Sequence, residues 1–323
     1  MVLVIQRKYS AYRRLLLRHK LTLIIRVLEP LGISTVLNLP SVGEHLVDQP
    51  NVLMAYTSTG NWTGYPAFVT YPTADDLFGP SVSTLASSIR ANIPAYASTV
   101  AAQSHGSVSA ASLKKIYAAQ TDVIFGNSSS PSTVPLAELL WAPGGTAIAA
   151  AFWSLLPFSR GSIHITSNDP TKQPVVNSKY WMLDVDMTLQ IAAARALRKI
   201  YATPPLSNYV EVEVIPGCTT VPANATDAEW TAWIKQAFTS NIHLLATCAM
   251  MSKELGGVVD SELRVYGTEN LRVVDASVLP TQSSGHLSST VYAIAERAAD
   301  IILKGREDSS RRRELREQRG HSG

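Results

Sequence analysis

The chain has 323 residues, 46% of them hydrophobic and 16% charged, with a formal net charge of +3. That composition describes a globular chain able to bury a sizeable core, about two structural units at roughly 100–200 residues each. The basic excess gathers in residues 7–26 and 311–319, and the near-balanced middle excludes the electrostatic footprint of a nucleic-acid enzyme.

Residues 1–26 read as a basic preface with no clean amphipathic period. Its apolar start, residues 1–5, is too short for a signal-peptide core, and the stretch 21–28 is broken by Arg26. Nothing approaches the roughly 20 apolar residues of a membrane-spanning helix. As written, the sequence encodes neither a span nor export. Residues 28–36 predict a helix end, a glycine turn at Gly32 and a short strand, and 39–50 a loop bounded by prolines. Residues 51–135 are rich in Ser, Thr, Ala and Pro; within them 107–120 predicts a helix and 127–133 a polar loop. Beyond, the alternation in Arg160-Gly-Ser-Ile-His-Ile-Thr-Ser predicts a half-buried strand. Val185, Leu189, Ala193, Leu197 and Ile200 recur at helical spacing over 184–201. Thr226-Asp-Ala-Glu opens a further helix with a capping box and presents Trp230, Trp233 and Ile234. A short strand over 271–275 and an Ala-rich helix over 289–303 follow; Gly305 should end that helix and leave a disordered charged tail.

Two cysteines, Cys218 and Cys248, do not make a disulfide framework; they read as buried thiols, with one bridge as the alternative. Asn61-Trp-Thr, Asn127-Ser-Ser and Asn224-Ala-Thr would accept glycans on a secretory route.

The chemistry concentrates in 241–295. His243 stands in Asn-Ile-His-Leu-Leu-Ala-Thr-Cys-Ala, and His286 follows Pro280-Thr-Gln-Ser-Ser-Gly. An imidazole titrates near 6.5, so it can accept a proton at neutral pH. Oxidising an alcohol requires removal of the hydroxyl proton while hydride leaves carbon. Two imidazoles facing one carbinol suit that task, one taking the proton and one holding the oxygen. Two unrelated structural histidines remain the alternative on spacing alone.

The words between and after them, Gly256-Gly-Val-Val-Asp, Arg264-Val-Tyr-Gly, Leu271-Arg-Val-Val-Asp-Ala-Ser and Thr290-Val-Tyr-Ala-Ile-Ala-Glu-Arg-Ala-Ala-Asp, resemble the C-terminal segment of the glucose–methanol–choline (GMC) oxidoreductases. Leu155-Leu-Pro-Phe-Ser-Arg-Gly-Ser-Ile-His-Ile resembles that family's substrate-domain strand, and Val42-Gly-Glu-His-Leu-Val-Asp-Gln its segment between cofactor and substrate domains. The resemblance covers about residues 28–305 and is loose between 60 and 130. It implies FAD as cofactor, a primary alcohol or sugar as donor, and oxygen or another electron acceptor. His243 matches the catalytic base and His286 its partner. Glu138 sits where glucose oxidase-like members set a carboxylate against the second histidine; a surface helix glutamate is the alternative. Asp275, Ala276, Leu287 and Ser288 match positions that approach the flavin. Arg264 and Val265 match a point of oxygen access, with a structural arginine as the alternative. Thr239 and His45 depart from the family pattern, standing where glucose-specific members have arginine and many members asparagine.

The expected fold class is α+β: a substrate domain with a mixed or antiparallel sheet over 52–240, with 27–51 and 241–305 as parts of an incomplete doubly wound FAD domain. A Gly-x-Gly-x-x-Gly turn, which brings backbone amides to a dinucleotide pyrophosphate, does not occur. The expectation is a chain missing its N-terminal half. A non-catalytic fragment and a carbohydrate-binding protein using Trp181, Trp230 and Trp233 are the competing readings.

Overall fold

The computed structural model describes residues 2–4, 25–35, 37–63, 68–126 and 132–320. In chain order the elements are β1 (Val2–Val4), α1 (Ile25–Leu28), β2 (Pro50–Trp62), β3 (Phe68–Thr70), α2 (Ala74–Phe78), α3 (Val82–Gln103), α4 (Ala110–Phe125), β4 (Ala137–Ser154), β5 (Ser162–His164), β6 (Val175–Asn177), α5 (Asp184–Tyr201), β7 (Val210–Ile215), α6 (Asp227–Ala237), β8 (Thr239–Ser240), β9 (Arg272–Val274) and α7 (Ser288–Gly320).

The fold is α+β, built on an antiparallel sheet in the order β3-β4-β2-β7, with β8 pairing the start of β2. Its register sets Val52 opposite Phe152 and Tyr56 opposite Ile148. Alternation along β2 and β4 sends Val52, Met54, Leu139, Trp141, Ile148 and Phe152 to one face, against Ala193, Leu197 and Tyr201 of α5 and Trp230, Trp233 and Ile234 of α6. Burying each of the larger side chains contributes about 1.5–3 kcal/mol. The capping box at Thr226 forms, its hydroxyl accepting from Glu229 N and its own N–H donating to Glu229 Oε2 at 2.7 Å. A second core joins Ile89, Ile93 and Ala97 of α3 and Leu113 and Tyr117 of α4 to Trp153, Leu155 and Phe158. A third collects Leu28, Val42, Val258, Val259, Leu263, Val265, Val273 and Val274. Beside it β1 runs parallel to β9.

Several expectations change. Residues 33–35 carry no strand after the left-handed turn at Gly32. The helix expected over 107–120 starts at Ala110, where Ser109 caps it by accepting from Ser112 N, and runs to Phe125. The last helix does not stop at Gly305; it continues to Gly320, because one interior glycine costs only about 1 kcal/mol and the following Arg, Glu and Gln are strong helix formers. The tail expected to be disordered is thus helical as far as Gly320, with 321–323 outside the described residues. Cys218 is exposed rather than buried, and Cys248 is buried. The basic preface yields β1 and the start of α1, while 5–24 and the sequon residue Asn127 lie outside the described residues.

Candidate active site

Three chain segments far apart in sequence meet over a small apolar cluster of Val47, Leu245, Ala246 and Leu287, with Ala276, Leu279 and Val291 packed against it. Backbone bonds lock two of them: Val47 N donates to Leu245 O at 3.2 Å, Leu245 N to Val47 O at 3.1 Å, and Asn241 N to Gln49 O at 3.1 Å. Further along, Cys248 N donates to Ser277 O at 2.9 Å and Met250 N to Val278 O at 2.8 Å, which ties the His243 segment to the turn holding Ala276. The cluster thereby sets His243, His286 and Ala276 around one surface.

The imidazole rings of His243 and His286 stand edge to face, 5.4 Å between centroids, the range of direct ring contact. Each ring has its own anchor. His286 Nε2 lies 2.6 Å from Glu138 Oε1, and the indole of Trp153 meets the same ring edge-on at 5.9 Å. Glu138 is 0% exposed. It sits on β4, not on a surface helix, because the alternation that sends Leu139 and Trp141 to one core turns Glu138 to the other side. Burial raises its pKa, against the opposing pull of His286. The phenol of Tyr71, raised by its own burial and by Glu138, belongs to the same group.

His243 is held at three points. Its backbone N donates to Asp48 Oδ1 at 2.9 Å, its carbonyl accepts from Gln282 Nε2 at 2.7 Å, and its ring Nδ1 lies 2.7 Å from Gln49 Oε1. Asp48 also accepts from the Tyr180 hydroxyl and from Ser240 Oγ. Desolvation lowers the pKa of His243, the neighbouring His286 lowers it further, and Asp48 opposes both. Asp48, Gln49 and Gln282 were not singled out by sequence reasoning. Their one local signal is the polar pair Asp48-Gln49 set directly before the first long strand.

Of the remaining expected residues, Ala276 and Leu287 join the apolar cluster beneath the histidines. Asp275 caps the turn at Ala276 by accepting from Ser277 N at 2.7 Å, and burial raises its pKa. Ser288 opens α7, whose first turn has no acidic residue. A flavin fits this strip in character: Ala276 is small, and the positive end of α7 favours electron-rich oxygen or nitrogen. Arg264 and Val265 are not brought to the pair. Arg264 is engaged by Asp260 and Glu262, each at 3.0 Å, and Val265 lies in the third core. Thr239 is exposed on β8, beside Asn51 of β2. His45 is buried, with a positive φ of 61° and a pKa lowered to about 3, by desolvation first and Arg160 second.

A match to the GMC oxidoreductase family covers residues 157–295. The chain belongs to the GMC oxidoreductases. This GMC chain is 40% identical over 274 residues to a glucose oxidase-like protein of Humicola fuscoatra, covering 84% of the chain and 45% of that relative. It is 34% identical over 280 residues to a glucose oxidase of Aspergillus carbonarius, covering 86% of the chain and 44% of the relative. Among solved structures, an FAD-dependent oxidoreductase from Chaetomium thermophilum superimposes with a TM-score of 0.71 at 26% identity, over 88% of the chain and 52% of that protein. A fungal aryl-alcohol oxidase gives a TM-score of 0.69 at 26% identity, over 87% and 51%. The GMC chain thus spans about half the length of these relatives. FAD is the cofactor of the family. No helix among the described residues is long and apolar enough to cross a membrane.

Proposed function

We propose that this GMC chain supplies the catalytic half of an FAD-dependent oxidoreductase acting on the CH–OH group of a primary alcohol or sugar, with oxygen or another acceptor completing the cycle. The observation that carries the reading is the edge-to-face pair of His243 and His286, each ring anchored by a separate buried side chain. His243 takes the hydroxyl proton; its lowered pKa keeps it neutral, and so able to accept, at neutral pH. His286 holds the carbinol oxygen, and the Glu138 carboxylate fixes the orientation of that ring. Asp275, Ala276, Leu287 and Ser288 form the wall against which FAD would lie. Bound FAD would supply the hydride acceptor. The ion pairs of Arg264 support a structural role for that residue.

Segments 27–51 and 241–305 are proposed as parts of the cofactor domain and 52–240 as the substrate domain. The non-catalytic fragment is kept as the second reading because the chain covers 45% of its Humicola relative. Trp230 and Trp233 are 2% and 7% exposed, which removes them as sugar-stacking surfaces. Purified protein should be loaded with FAD and its visible absorbance recorded before and after anaerobic addition of alcohols and sugars. A yellow protein bleached by one of them supports the enzyme; a colourless protein that takes up no flavin supports the fragment.

A further inference from the structure

We propose that Gln49 is the positioning residue of His243, fixing the ring as its Nδ1–H tautomer and leaving Nε2 as its sole basic lone pair. The proposal rests on the proton-accepting role given to His243 above and adds which nitrogen acts and what selects it.

Gln49 is 0% exposed, and its two amide atoms are both committed. Nε2 donates to Leu155 O at 2.8 Å. A carbonyl only accepts, so the amide cannot be turned over without setting two oxygens against each other. Oε1 is therefore the atom that faces His243 Nδ1 at 2.7 Å. An amide oxygen also only accepts, so Nδ1 must carry hydrogen and donate. The neutral ring has one hydrogen, and Nε2 is left with its lone pair. The backbone of the same residue is clamped by Asp48 and Gln282, which fixes the point from which the ring reaches Gln49.

The two histidines are thus oriented by chemically different groups. A neutral amide holds His243, and a carboxylate holds His286. An amide orients the ring while stabilising its charged form less than a carboxylate does. The charged or titratable groups facing His243 are His286, from the segment before α7, and Asp48, from the segment before β2. Tyr180 reaches it through Asp48, and Glu138 through His286.

The test is two-bond proton–nitrogen correlation NMR on the full chain labelled with 15N in its seven histidines, the His243 signals being those lost in His243→Asn. The wild type is expected to show a single Nδ1–H form above the His243 titration. Gln49→Leu should give a mixture of both tautomers, and Gln49→Glu should keep Nδ1–H while moving the His243 titration to higher pH. An Nε2–H form or a mixture in the wild type overturns the proposal, and this result does not depend on any variant folding. An unchanged tautomer in a folded Gln49→Leu overturns it too. On flavin-loaded protein, Gln49→Leu should lower kcat about ten-fold with KM unchanged, and Gln49→Glu should restore kcat with its acid limb moved up. Because the NMR needs no flavin, a fixed tautomer in a protein that never turns over would refute the enzymatic reading and leave the role of Gln49 standing.

Discussion

Replacing Glu138 by glutamine should weaken turnover and strengthen the fold. The carboxylate is wholly buried and its pKa is raised by desolvation. A carboxyl whose folded pKa lies above its unfolded value loses stability as pH rises from the ordinary carboxylate range through the folded pKa, because the unfolded chain releases its proton first. Glutamine keeps the shape and a hydrogen-bonding oxygen without the charge. Glu138→Gln should therefore raise Tm at pH 7–8, and the gain should shrink as pH falls toward about 4.5. Turnover should move the other way. Exchanging a charge-assisted bond for a neutral one gives up about 1 kcal/mol, roughly five-fold in rate, and Glu138→Leu, which removes the bond, about 1.5–3 kcal/mol, roughly ten- to a hundred-fold. The assays are thermal unfolding across pH and anaerobic flavin reduction in single turnover. A Glu138→Gln protein that melts lower at pH 8 and reduces flavin at the wild-type rate would refute the reasoning.

Other outcomes follow from the same contacts. His243→Ala should lower turnover by about 10²–10⁴-fold with flavin content unchanged, measured by steady-state kinetics on loaded protein. Because His243 has a lowered pKa, the acid limb of the rate profile should fall below the usual imidazole value of about 6.5, and stability should drop as pH is lowered through that value, since the unfolded ring takes up a proton that the folded one resists. A pH-rate profile and a matching series of urea melts check both signs. Leu245→Ala, in the cluster beneath the histidines, should cost about 2–5 kcal/mol in urea unfolding. Thr226→Ala, which removes the cap of α6, should cost about 1 kcal/mol and leave turnover alone.

Some elements were legible in the sequence and others were hidden. Helix α5 reads directly, because its apolar residues fall every three to four positions, and α6 reads from its capping box. Helix α3 does not: its buried stripe is Ala86, Ile89, Ile93, Ala97 and Val100, scattered among serines and interrupted by the exposed Pro94. The long strands β2 and β4 are equally hidden, since Gly60, Pro143, Gly144 and Gly145 look like turn signals and are absorbed where the register shifts. At the site, His243, His286 and Glu138 were reached through their resemblance to the GMC pattern, not through local chemistry. Gln49 could not be reached that way, because what gives it meaning is a ring 194 residues along the chain. The fate of Gly305 shows the reverse error, where a strong local stop signal is outweighed by the helix formers after it.

The measurement that bears most directly on the central claim is anaerobic reduction of FAD bound to this chain by a primary alcohol or sugar, followed in the visible spectrum. The account predicts bleaching that is lost in His243→Ala while that variant still holds its flavin. Bound flavin left oxidised by every alcohol and sugar tried, or bleached as fast without the imidazole at position 243, would contradict it.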